Sequence, residues 1–204
     1  MYGFSRVSIA TQCLSTISEQ TGLKNLRLCW CNISDTGLEH IQRLTGLVNL
    51  DIAANKKISD AGLEHISYLT GLENLNVSEC GISDAGLKHI SCLTGLKNLN
   101  VQGCDISDAG LEHLGRLTGL VNLNISYNKK ISDAGLEHLS YLTGLKNLNV
   151  SVCDISNAGL EHLGRLTGLV NLDISHNRKI SDAGLEHLCY LTRLKNLNVR
   201  GCRI

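Results

Sequence analysis

The chain has 204 residues and is 43% hydrophobic, yet only 3% aromatic and free of proline, so its core must be built almost wholly from aliphatic side chains. Lys plus Arg equals Asp plus Glu at 19 each, which leaves no global charge to draw it to nucleic acid or an anionic membrane. No stretch approaches the ~20 apolar residues of a membrane helix, and no apolar run follows Arg6 as in a signal peptide, so a cytoplasmic protein is expected.

Taken in chain order, residues 1–20 read as a decayed copy of the segment after them. Shifted by 24 positions, Tyr2 and Phe4 fall where Leu26 and Leu28 sit. Ile9 matches Ile33, and Leu14 and Ile17 match Leu38 and Ile41. A degenerate repeat or N-terminal cap is expected over residues 1–20. From Thr21 a Thr-Gly/Arg-Leu step recurs at Thr45, Thr70, Thr94, Thr118, Thr143, Thr167 and Thr192, always 24 or 25 residues apart. This divides residues 21–204 into eight units, the last incomplete.

The first unit reads Leu-x-x-Leu-x-Leu-x-x-Cys-x-Ile from Leu23, then Ser-Asp-Thr-Gly-Leu-Glu-His-Ile. Leu26 and Leu28 alternate with Asn25, Arg27 and Cys29, so a short strand turns two leucines inward and three side chains outward. Cys31 then turns the chain. Ser34 or Asp35 is placed to cap a short helix with Leu38 and Ile41 on its buried stripe, and Gly46 is a candidate stop. Three units are one residue longer. They carry Asn55, Asn128 or Asn177 in place of the cysteine, each followed by a basic pair. One unit cannot bury both of its apolar faces, so stacking of units must supply the core. The last unit stops at Ile204 before its helix. Leu194, Leu197, Val199 and Ile204 then lack a neighbour, and weak self-association through this C-terminal repeat, or its fraying, is expected.

With these motifs in view, the sequence resembles the leucine-rich-repeat superfamily over residues 21–204. The turn cysteine and the Ile-Ser-Asp-Ala-Gly-Leu helix start resemble its cysteine-containing subclass, as in F-box ubiquitin-ligase receptors and some bacterial effectors. The resemblance implies an α/β solenoid, a horseshoe with parallel strands on the concave face and short helices on the convex face. It further implies protein binding, commonly on the concave side. No F-box is expected, because residues 1–20 are too few to hold one. A translocated effector would work in a host cytosol. The competing reading is a structural or consensus-like scaffold without a specific partner.

The nine cysteines do not suggest a disulfide framework, since the number is odd and five of them (Cys31, Cys80, Cys104, Cys153, Cys202) repeat at one inward turn position. Free thiols in a reducing compartment are expected. Seven histidines, from His40 to His187, share one helix position. Helices in neighbouring units lie roughly 10 Å apart, whereas zinc ligands must converge within ~2.1 Å of one ion, so a convex basic ladder is expected instead of a metal site. Gly81 to Gly86 nearly matches a phosphate loop, but Leu87 stands where its lysine is required. Asn32, Asn76, Asn124 and Asn149 begin Asn-x-Ser sequons that read as by-products of the repeat. Glu39–Arg43, Glu112–Arg116 and Glu161–Arg165 have helical ion-pair spacing. Ser, His and Asp recur in every unit, whereas a catalytic set is singular. Neither an enzyme nor a cofactor is expected.

Differences between near-identical units then carry the functional signal. Asn25 and its seven counterparts are invariant outward residues, too uniform to discriminate partners and suited to tying strands together. The two positions after the strand vary, from Cys29-Trp30 to Arg200-Gly201. The candidate partner-binding residues are Arg27, Cys29, Trp30, Glu79, Gln102, Tyr127, Val152, His176 and Arg200, with Trp30 and Tyr127 as anchors.

Overall fold

The computed structural model describes residues 13–204. Tyr2, Phe4 and Ile9 lie outside the described residues. Residues 13–17 are helical, and Leu14 is buried against the first unit.

Each unit contributes one three-residue strand: β1 (Asn25–Arg27), β2 (Asn49–Asp51), β3 (Asn74–Asn76), β4 (Asn98–Asn100), β5 (Asn122–Asn124), β6 (Asn147–Asn149), β7 (Asn171–Asp173) and β8 (Asn196–Asn198). They form one open parallel sheet in chain order, with equivalent residues in register, as Leu50 against Leu75. Equal units stacked by one repeated step have no other pairing available. Between strands lie the helices α1 (Asp35–Ile41), α2 (Asp60–Ile66), α3 (Asp84–Ile90), α4 (Asp108–Leu114), α5 (Asp133–Leu139), α6 (Asn157–Leu163) and α7 (Asp182–Leu185). This is the expected α/β solenoid.

Helices of seven residues are too short to persist alone. Burial holds them: in one unit Leu47, Leu50, Ile52, Ile58, Leu63, Ile66 and Leu69 are all at most 2% exposed. Where no full unit packs alongside, the helix gives way. The short α7 passes into a 3-10 turn over Glu186–Tyr190, and Leu185 is only half-buried. β8 ends the described sheet with Leu197 exposed.

Helix entry is fastened across units, which spacing within one unit does not reveal. The Asp60 carboxylate of α2 accepts from the backbone N–H and the hydroxyl of Ser83, both at 2.7 Å. Asp35, Asp84, Asp108 and Asp133 bind Ser59, Ser107, Ser132 and Ser156 in the same way. Asn157 substitutes its amide, accepting from the Ser181 N–H and donating to its hydroxyl. The serine is the N-cap residue throughout. The helix acid therefore serves the following unit's cap instead of its own.

Gly46 is not the helix stop. Helix α1 ends at Ile41, with Gln42 as its C-cap in right-handed conformation. A Cβ on Gly46 would lie 2.9 Å from the Thr21 carbonyl oxygen of the previous unit, so the glycine is there for close backbone approach. The early stop also leaves Arg43, Arg116 and Arg165 each two residues beyond their helices. Of the three expected pairs, Glu161–Arg165 alone is in ion-pair range among the described residues, at 4.0 Å.

Candidate functional site

Strand side chains that alternate out of the sheet line a continuous groove of about 1080 Å³ running over all eight strands. Its floor carries the invariant asparagines. From Asn49 to Asn196, each Nδ2 donates to the Oδ1 of the preceding unit's asparagine. The ladder ties strands together as expected and leaves each central amide one N–H facing the groove. The next outward column is Arg27, Asp51, Asn76, Asn100, Asn124, Asn149, Asp173 and Asn198. Arg27 is 3.4 Å from Asp51. These side chains also shape the turn after the strand: Asn76 Oδ1 accepts from the N–H and hydroxyl of Ser78 at 3.2 and 2.8 Å. The same Asx geometry recurs at Asn124–Ser126 and Asn149–Ser151. It accounts physically for three of the four sequons.

The two variable columns separate sharply in space. Ala53, Ser78, Ser126, Ser151 and Ser175, counterparts of Cys29, are buried. Small residues are required there, so most of this column is packing and not surface. Cys29 and Gln102 are half-buried, and Gln102 Oε1 accepts from Asn124 Nδ2 at 3.2 Å. Arg200 is exposed on the last unit.

The second column is different. Trp30, Ala54, Glu79, Tyr127, Val152 and His176 all have φ between 55° and 60°, and Gly103 and Gly201 complete the column at 63° and 76°. Its N–H groups extend the sheet ladder by one bond: Trp30 to the Ala53 carbonyl at 3.0 Å, Tyr127 to that of Ser151 at 3.0 Å. The column is thus a ledge at the C-terminal ends of the strands, flanking the groove. Trp30 is 72% exposed and Tyr127 54%. Glu79 and His176 are exposed, and Val152 is half-buried. Side chains lean toward the following unit: a Cβ on Gly201 would lie 2.6 Å from His176 Nδ1.

Behind the ledge the chain returns into the core. Asn55, Asn128 and Asn177 are at most 1% exposed. Asn128 Nδ2 donates to the Val101 and Ile125 carbonyls at 3.0 and 2.8 Å, while its Oδ1 accepts from the Ile106 N–H at 3.3 Å. Cysteine replaces only part of this bonding, as Cys80 Sγ donates to the Ile52 carbonyl at 3.3 Å. Of the five turn cysteines Cys80 is fully buried, and the other four are half-buried instead of buried as expected. Burial pushes the Cys80 thiol up to about 11 and those of Cys104 and Cys153 up to about 12. Two of the three basic pairs of the long units have an acidic partner as well. Lys130 meets Asp105 at 2.8 Å and Lys179 meets Asp154 at 2.7 Å, each an acid of the preceding short unit.

On the helical side the shared histidines are half-buried. His65 Nδ1 lies 3.3 Å from Gln42 Oε1, and Nδ1 of His113 and His162 is buried without a partner. Among the described residues no cluster of three His, Cys, Asp or Glu side chains could hold a metal ion, and no helix is long and apolar enough to cross a membrane. Sequence reasoning passed over a second surface just beyond the helices, where Tyr68, Tyr141 and Tyr190 are 57–69% exposed. Comparing this one position across units would have shown it.

A leucine-rich-repeat family model matches residues 69–91, 94–115, 120–140 and 169–189. Comparison with curated protein sequences gives no match. Among solved structures, the chain is similar to an internalin, inlF, from Listeria monocytogenes, with TM-score 0.80 and 24% identity, over 98% of this chain and 57% of that one. It is also similar to internalin C2 of the same organism, with TM-score 0.76 and 21% identity, over 98% of this chain and 85% of that one. The chain therefore spans little more than half the length of the first of these relatives. At such identities the likeness establishes the fold.

Proposed function

We propose that this chain, a leucine-rich-repeat protein, is a protein-binding module whose partner lies along the strand-side groove and grips the adjoining ledge. One observation carries the reading. A left-handed backbone costs an ordinary residue roughly 1–2 kcal/mol, and glycine removes that cost. Gly103 and Gly201 take this solution, yet six of the eight units keep a side chain there, among them Trp, Tyr, His, Glu and β-branched Val. Strain held in a varied column, with Trp30, Glu79, Tyr127 and His176 exposed, fits a surface retained for recognition. Exposed Trp and Tyr are the side chains most enriched at binding hot spots. The uniform amide floor offers hydrogen bonds to any polar partner, and the ledge supplies the discrimination.

On this reading Trp30, Tyr127, Glu79, Val152 and His176 are the principal contacts. Arg27 contributes from the groove, Arg200 from the far end, and Cys29 and Gln102 mainly shape the turn. The function is binding instead of catalysis, as in a substrate-recognition or effector array of the cysteine-containing subclass. The free thiols support work in a reducing compartment, the cytoplasm or the host cytosol of an effector. Capture of a partner by the wild-type chain and by Trp30→Gly, Tyr127→Gly and His113→Ala variants tests this. Loss with the first two and retention with the third is expected. Equal capture by all four, or none by the wild type, favours the plain structural scaffold.

A further inference from the structure

The exposed position just past each helix is filled by a restricted set of residues. It reads Arg43, Tyr68 and Cys92 in the first three units, then Arg116, Tyr141, Arg165 and Tyr190. All seven are exposed. An unconstrained solvent position would be expected to sample Lys, Glu and Ser. This stripe holds none of them, and Arg and Tyr are the types that interfaces enrich.

Units meet closely along it. A Cβ on Gly115 would lie 2.8 Å from the His138 carbonyl oxygen of the next helix, which sets the Arg116 unit tightly against that of Tyr141. Arg165 and Tyr190 line one shallow cleft with Glu161 and His187. The glutamate one turn before each stripe residue (Glu112, Glu137, Glu161, Glu186) keeps the surface mixed in sign, which disfavours a polyanion such as nucleic acid.

The order Arg-Tyr-Arg-Tyr decides what fits. Turned by a two-fold axis between Tyr141 and Arg165, the stripe meets itself with every arginine opposite a tyrosine. Arg116 faces Tyr190 of the other copy, and Tyr141 faces Arg165. A guanidinium over a phenol ring is favourable, and an isologous contact requires this self-complementarity. We propose that the helical face over Arg116–Tyr190 is a homodimer interface, joining two copies back to back and leaving both strand-side grooves free.

Sedimentation velocity over a concentration series tests it, because the two-fold axis makes a prediction no other partner would. Tyr141→Arg places arginine against arginine twice and should weaken the dimer roughly tenfold or more. Arg165→Tyr alone should weaken it through tyrosine–tyrosine pairs. The double variant Tyr141→Arg/Arg165→Tyr restores four Arg–Tyr pairs and should dimerise like the wild type. A monomeric wild type, an unaffected Tyr141→Arg chain, or failure of the double variant to recover would overturn the proposal. So would association abolished by Leu197→Asp at β8 and indifferent to the stripe, which would move the contact to the C-terminal edge.

Discussion

Gly86 sits in the first turn of α3, where replacement by alanine should by propensity stabilise the helix by up to about 1 kcal/mol. The structure reverses the sign. A Cβ there would lie 2.6 Å from Asp60 Oδ1, 3.0 Å from Leu63 Cδ1 and 3.4 Å from Ile82 Cβ. The carboxylate cannot swing away freely, because it is held by the Ser83 N–H and hydroxyl at 2.7 Å each. Displacing it weakens two charge-assisted bonds, each worth about 1.5–3 kcal/mol when intact. Since the pair is only half-buried, partial loss against the propensity gain leaves Gly86→Ala destabilising by about 2 kcal/mol. In an Asp60→Ala background the obstructing oxygen is gone. Gly86→Ala should then be neutral or stabilising by up to about 1 kcal/mol. Urea unfolding followed by circular dichroism, with unchanged m-values as the control for cooperativity, gives the four stabilities of the cycle. A stabilising effect in the wild-type background would refute the reasoning. So would an equal destabilisation in both backgrounds, which would place the obstruction at Leu63.

The ledge should show stability traded against binding: Tyr127→Gly and Val152→Gly should each raise the unfolding free energy by about 0.5–1 kcal/mol, the relief of left-handed strain less the entropy of glycine. Urea midpoints at or below wild type would remove the strain argument. Asn128→Ala strands the Val101 carbonyl and the Ile106 N–H, leaves the Ile125 carbonyl only the weak Cys153 thiol donor at 3.6 Å, and should cost about 3 kcal/mol in the same assay. A loss under about 1 kcal/mol would show that water replaces the amide. Titration with a thiol reagent at neutral pH should find the exposed Cys13, Cys92 and Cys189 fast and Cys80, Cys104 and Cys153 slow, and denatured, non-reduced protein should yield nine thiols. Because burial raises these three thiols from 9.0 to about 11 or 12, the folded state holds their protons more tightly than the unfolded state. Their contribution is full below about pH 9 and is lost as pH climbs through about 11 to 12. Stability measured in that window should fall, and Cys104→Ala should flatten the slope.

What the sequence determined is what depends on local period. Alternation of Leu26 and Leu28 with polar neighbours identifies strand and inward face, because successive side chains on a strand point to opposite sides. Leu38 and Ile41 identify the helix stripe, and recurrence at 24 or 25 residues identifies a stack, because equal units can only pair in equal register. The asparagine ladder follows from that register directly. The tertiary structure decided whatever depends on contact between units. Asp60 is a plausible cap for its own helix until Ser83, 23 residues on, is seen to take both of its oxygens. Gly46 reads as a helix stop until the Thr21 carbonyl is found against it. Ser126 and Tyr127 read as two equally variable neighbours, yet one is 1% exposed and the other 54%. The left-handed turn between them is specified by no glycine or proline of its own. The Asx bond from Asn124 and the ladder bond to Ser151 impose it, and only stacking brings the second of those partners within reach.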